Sequence, residues 1–220
     1  SLIVTEIVVD AESMADFLEG GPYKAIFPQA TELTQVTATS STDAEVSLGS
    51  LTKPVSALVW FPRLQMDTYR NMWYRMRGMP DQVSGRFNRA ITNNKLTIGS
   101  FTYADSSGAL LDKVMPSKFA ARVPRDIEMY MYSFGTENAL NSSPGSEKRI
   151  VPGSVNMAAF STAYLKCTPN PNIFANNSGT GGLDVAGGTF GGSPSLTVTA
   201  MAVEQNVLTI DGASVYVAMS

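Results

Sequence analysis

Between Phe61 and Ala90 the chain carries six arginines, Arg63, Arg70, Arg75, Arg77, Arg86 and Arg89, against only Asp67 and Asp81. That segment is +4; since the whole chain is −3, the remainder is −7. Tyr69, Trp73, Tyr74 and Phe87 are interleaved with the arginines. Guanidinium groups pair with phosphates and aromatic rings stack on bases, so this composition fits a nucleic-acid-binding surface. Arginines and aromatics are equally what protein–protein contacts enrich, and ion pairing between subunits accounts for them at least as well. Arg70, Arg75, Arg77, Arg86 and Arg89 are therefore the candidate residues of a nucleic-acid or subunit interface.

Other chemistries find less support. There is no histidine, and Cys167 is the single cysteine. An internal disulfide, a Cys/His zinc site and histidine acid–base catalysis are all excluded. A thiol nucleophile would need a base beside it, so Cys167 reads as buried packing. Two facing carboxylates can hydrolyse a glycosidic bond without histidine, and Asp126 with Glu128, or Asp10 with Glu12, would share a strand face. Solvated or ion-paired acids at strand ends explain these pairs better, so no residue is assigned a catalytic role and the chain reads as non-enzymatic. Asp105-Ser106-Ser107-Gly108 and Asp43 with Glu45 offer oxygen ligands without EF-hand spacing; simple turns explain them, although a calcium ion shared at a subunit interface would need only one or two acids from each copy. The glycines from Gly179 to Gly192 lack the Gly-Lys-Ser/Thr of a phosphate loop.

Positioning any such residues falls to β-structure. Leu2 to Val9, Ala44 to Leu51, Val55 to Phe61, Lys95 to Ala104, Ile127 to Phe134, Val155 to Cys167, Ser195 to Val203, Val207 to Ile210 and Ala213 to Val217 read as strands, the last two joined at Asp211-Gly212. Ile127 to Phe134 has large side chains on both faces, which predicts a strand covered on both sides. Eight or more short strands with Gly, Pro, Asn and Ser between them predict a sandwich, jelly roll or barrel. Glu12 to Leu18 fits a short helix; Asp67 to Met79 fits either a helix, through Tyr69, Met72, Trp73 and Met76, or a strand. Residues 170–194 read as a long flexible loop and 195–220 as a C-terminal β-hairpin or arm, within one domain spanning 1–220.

Hydrophobic residues make up 44% of the chain and charged residues 16%, against roughly 25% charged in ordinary soluble domains. So little charge predicts a surface partly hidden against neighbours. No apolar stretch reaches the roughly 20 residues of a membrane helix, and no basic start with an apolar run marks a signal peptide. A start at Ser1 fits a processed product or a fragment.

Ala159 to Asn172 (AFSTAYLKCTPNPN) resembles the late shell strand of nodavirus-like and tombusvirus-like coat proteins, a long β run with an embedded aromatic and a Pro/Asn-rich exit. Trp60-Phe61-Pro62, followed by Tyr69-Arg70 and Tyr74-Arg75, is similar to the approach to another shell strand there. The resemblance covers under a fifth of the chain. It implies an all-β jelly-roll shell domain that self-assembles into an icosahedral capsid, resides in the virion and encloses a packaged RNA genome, often behind a basic arm. Two departures stand out: the residues given include no basic arm, and about 50 residues follow the Pro/Asn exit. A carbohydrate- or surface-binding β-sandwich is the alternative, with Trp60, Trp73, Tyr130 and Tyr132 as its platforms, and a carboxylate hydrolase is the third reading.

Overall fold

A sixteen-residue strand, β10 (Leu196–Asp211), forms the spine of the larger of two sheets in the computed structural model, which describes residues 23–65, 67, 89–119, 127–135, 153–175, 195–211 and 214–218. Along one side β10 pairs antiparallel with β1 (Tyr23–Glu32) and then β2 (Val36–Ala38). Along the other it pairs with β4 (Pro54–Leu64) and then β11 (Ser214–Ala218). Next to β4 lie β7 (Tyr130–Ser133) and the short β8 (Val155–Asn156). The second sheet has the order β3 (Ala44–Ser47), β9 (Ala163–Pro169), β5 (Ile91–Ile98), β6 (Phe101–Ser106).

Taking β1 with β2 as one strand and leaving out β8 and β11, eight strands remain, with chain-order positions 1-8-3-6 in one sheet and 2-7-4-5 in the other. Every described pairing is antiparallel. This is a jelly roll: apart from the fourth and fifth strands, which form a hairpin in one sheet, consecutive strands cross from sheet to sheet, and the first and last strands lie side by side. The all-β expectation and the jelly-roll alternative both hold.

Patterning explains the layers. In β9 Ala163, Leu165, Cys167 and Pro169 are buried while Tyr164, Lys166 and Thr168 lie partly exposed between them, and β3 alternates in the same way; side chains two apart share a face. Strand β4 is buried almost throughout, as a central strand must be. Its register slips at Ser56, where Val203 of β10 faces Ala57 but Glu204 faces Val55. The extra residue shifts the phase: Val55, Leu58 and Trp60 join the main core between the sheets, whereas Ala57 packs with Met131, Val203, Val59 and Phe119 in a second cluster. Ser56 Oγ donates to the Val203 carbonyl at 3.0 Å, which satisfies the buried hydroxyl. Among the described residues β7 pairs only with Ala57 to Trp60, so Pro62 of β4 removes no ladder donor there.

Several boundaries differ from those expected. Lys95 to Ala104 is two strands: Gly99, at φ +61°, turns β5 back as β6, a conformation costly for residues with a Cβ. Val155 to Cys167 is likewise interrupted, by a 3-10 turn at Met157–Ala159 capped by Asn156. The segments around Val203 and Val207 form one strand. β1 carried no strand expectation. After β6 the chain enters a π-helical turn, Leu110–Val114, and then the helix α1 (Met115–Phe119); α2 (Asn172–Ala175) follows β9, so the expected 170–194 loop begins with helix. The expected elements at 2–9 and 12–18, most of 67–79, and 176–194 lie outside the described residues.

Candidate functional site: the Arg89 cluster and the β6 edge

Of the five candidate interface arginines, Arg70, Arg75, Arg77 and Arg86 lie outside the described residues. Arg89 stands just before β5, and its Nη1 bonds Asp112 Oδ2 at 2.6 Å. The Asp112 side chain is 4% exposed and the Arg89 side chain 36%. Partial burial works against the Arg89 charge, but the bond to Asp112 and its negative charge outweigh it and raise the pKa. Arg89 thus anchors the turn after β6.

Glu128 forms the other half of the cluster. Its Oε2 accepts the Ala90 N–H at 2.7 Å, its Oε1 accepts the Ile91 N–H at 2.9 Å, and the Tyr130 hydroxyl donates to Oε1 as well. Burial nevertheless lifts this carboxyl above the usual range, against the pull of those three donors and of Arg89. Tyr130 is raised by its own burial and by the charge of Glu128. Asn170 adds two further bonds, its N–H to the Ala90 carbonyl at 2.8 Å and its side-chain amide to the Arg89 carbonyl at 2.9 Å. The entry to β5 is therefore held from β7, β9 and the helical turn at once. All the acceptor capacity of Glu128 that faces this entry is used structurally. The glycosidase pair it was to form with Asp126 places one member outside the described residues and the other in a scaffold.

The rings named as glycan platforms are placed differently from that expectation. Trp60 is fully buried, stacked on Tyr130 with centroids 5.8 Å apart, and its Nε1 donates to Asn94 Oδ1 at 2.8 Å. Tyr130 is also fully buried, Tyr132 is partly so, and Trp73 is outside the described residues. Both buried rings fill the space between the sheets. Cys167, buried beside Asn94 at 3.6 Å, is core as expected, its thiol pushed up chiefly by burial.

The acids considered for calcium are engaged locally: Asp43 accepts from Thr168 at 2.8 Å, Glu45 lies 3.5 Å from Lys166, and Asp105 accepts from Asn93 at 2.9 Å and lies 3.8 Å from Lys95. No group of three metal-ligating side chains occurs among the described residues. Nor is any helix among them long and apolar enough to cross a membrane. A groove of about 560 Å³ opens beside Thr31, Leu33, Lys53 and Glu204.

What the described surface does present is apolar. Phe101 is 67% exposed, Leu110 46%, Val114 42% and Tyr103 37%. All four belong to β6 or the turn after it. Tyr103 meets Tyr132 and Phe134 edge-on, at 6.4 and 6.0 Å, linking the margins of the two sheets.

No protein-family model and no curated protein matches the chain. Solved structures do. VP54 of PBCV-1, as fitted into a reconstruction of the virophage Sputnik, matches with TM-score 0.64 and 16% identity over 96% of this chain. The Faustovirus major capsid protein matches with TM-score 0.63 and 13% identity over 92%, and a quasi-atomic model of the PBCV-1 capsid with 0.57 and 14% over 96%. The fold is similar to that of viral major capsid proteins. At these identities the fold is what is shared. The chain spans 55% of VP54 and 36% of the Faustovirus protein. The expected resemblance to capsid proteins therefore holds at the level of the jelly roll, but these three structures come from neither nodaviruses nor tombusviruses, and they lend no support to an RNA genome.

Proposed function

We propose that this chain is a shell-building jelly roll of a viral capsid, acting by association with further copies in the virion and not by catalysis. The observation that carries the reading is the jelly roll itself, with strand order 1-8-3-6 and 2-7-4-5, a fold similar over more than nine-tenths of the chain to capsid proteins of Faustovirus and PBCV-1. Three further features agree with it. The chain is poor in charge. The rings a glycan-binding module would need are in the core. The acid in the best carboxylate pair is committed to backbone N–H groups.

Genome contact by Arg70, Arg75, Arg77 and Arg86 belongs to the same proposal, with the nucleic acid identified only by its phosphates. Arg89 is set aside from that role because it serves Asp112. A calcium ion bridging subunits through Asp43 or Asp105 would have to displace the bonds these acids already make. Sedimentation velocity over a range of protein concentration, salt and calcium tests the proposal. Large discrete species are expected; a monomer under every condition, together with binding in a glycan screen, overturns it in favour of the surface-binding module.

A further inference from the structure

Strand β10 sends one row of side chains between the sheets. Leu196, Val198, Ala200 and Ala202 of that row belong to the main core, and the next residue on the same face is Glu204. Glu204 is only 5% exposed. A carboxylate so far out of water is costly unless a cation or a full set of donors meets its charge. Among the described residues Glu204 has neither. Its Oε2 accepts from the Thr31 hydroxyl at 2.5 Å, no basic side chain lies within ion-pairing distance, and its cross-strand neighbours, Gln29 of β1 and Val55 of β4, are uncharged. One carboxylate oxygen, Oε1, is left without a donor there.

This carboxylate lines the groove of about 560 Å³, a volume within the roughly 300–1,000 Å³ of small-molecule sites. Leu33 and Leu51, both buried, supply apolar wall, while Thr31, Ser50 and Thr52 bring hydroxyls. Two further charges line it, the exposed Glu32 and the partly exposed Lys53. Glu32 accepts from the neutral Gln35, and Lys53 makes no ion pair among the described residues. Those two offset each other at the rim, so two acids against one lysine leave a net −1 that sits on the buried Glu204. An alkyl cation meets all of these features at once. Its stem lies along the leucines, as lysine and arginine stems do on apolar surface, and its N–H groups reach the carboxylate and the hydroxyl oxygens. An anion would face Glu204 without a donor for its own charge beyond Lys53, and a neutral apolar molecule would desolvate the carboxylate further.

We propose that this groove binds an alkylammonium or alkylguanidinium group, with Glu204 as its counter-ion. That chemistry has two sources, the lysine or arginine side chain of a neighbouring copy and a free small amine. The site goes beyond the self-assembly reading and does not depend on it.

Saturation-transfer NMR on the whole chain at low salt, with n-butylammonium, n-butylguanidinium and n-butyrate as probes, tests it whether or not the protein has assembled. Both cations are expected to give saturable signals and butyrate none. Glu204→Gln keeps a carbonyl oxygen for the Thr31 hydroxyl but loses the charge, and is expected to weaken cation binding by about ten-fold or more. Lys53→Glu, at a partly exposed position, should tighten it by about two- to five-fold; that variant decides the matter if Glu204→Gln does not fold. No saturable signal from either cation, an equal signal from butyrate, unchanged affinity in folded Glu204→Gln, or no tightening in Lys53→Glu each overturns the proposal. Sedimentation of Glu204→Gln then separates the sources. Lost assembly with a wild-type melt supports a basic side chain of a neighbouring copy as the occupant, and wild-type assembly supports a free amine. A wild-type chain that binds the cations and never assembles supports the site while overturning the capsid reading.

Discussion

Replacing Glu128 with glutamine keeps the shape of the side chain and removes one acceptor oxygen. The wild-type carboxyl takes the Ala90 N–H on Oε2 and the Ile91 N–H with the Tyr130 hydroxyl on Oε1. Glutamine can meet only one of those two sides, and its amide NH2 then points at a donor on the other. A buried donor left without a partner costs about 1–3 kcal/mol. For a chain of this length each kcal/mol corresponds to roughly 2–4 °C in melting temperature, so E128Q is expected to melt roughly 2–12 °C below wild type, with an unchanged urea m-value. The pH dependence has a definite sign. Burial raises the folded-state pKa of Glu128 above its ordinary 4.5. The stability linked to this carboxyl is then fully present below the unfolded pKa and is lost as pH rises through the folded value. The gap between wild type and E128Q should accordingly narrow as pH rises from about 4 through the raised folded-state value. Urea melts of both proteins across that range provide the assay, and a variant as stable as wild type at every pH would falsify the assignment of Glu128 as the clamp on β5.

Other consequences follow from the same cluster and the core behind it. A methyl group at Gly108 would lie 2.4 Å from Arg89 Nη1 and 2.7 Å from Tyr130 Cε1, so Gly108→Ala is expected to cost about 1–3 kcal/mol, read by thermal melting. Arg89→Met leaves the buried Asp112 carboxylate without its guanidinium and should destabilise by about 1–3 kcal/mol; a neutral result would mean that Arg89 is free for a partner after all. Asn94→Ala removes the acceptor of the Trp60 indole N–H and is expected to lower the unfolding free energy from urea melts by about 1–3 kcal/mol. Cys167 should resist a thiol reagent in the native protein and react at once in denaturant; rapid native labelling would contradict its place between Asn94 and the core.

The strands that alternate or carry β-branched runs were legible: β3, β4, β7 and β9 contain the apolar face that their sheets require. β1 was not, because Lys24, Pro28, Gln29 and Glu32 mask its period and its partner lies more than 150 residues away in β10. β10 itself read as two strands because Glu204, Gln205 and Asn206 break its apolar run. Inside the sheet Glu204 accepts from Thr31 at 2.5 Å and Asn206 donates to Gln29, and pairwise satisfaction of this kind leaves no local trace. The β5–β6 turn hinged on Gly99, whose positive φ is invisible until the strands on either side are paired.

At the candidate site what the sequence left open was burial. Trp60 and Tyr130 were eligible as surface platforms only because nothing local distinguishes a buried indole from an exposed one; the difference is Asn94, 34 residues away. Arg89 was grouped with the arginines upstream by proximity, while its partner Asp112 sits in a turn on the far side of a hairpin. The β6 margin was overlooked because Phe101 and Tyr103 read as one half of an ordinary strand. Only the folded sandwich shows that, among the described residues, this strand ends a sheet.

Electron cryo-microscopy of the assembled protein tests the central claim most directly. The account predicts closed particles whose reconstructed wall is made of repeated jelly rolls. A sample that contains only monomers or irregular aggregate, or a wall in which the jelly roll is absent, would contradict it.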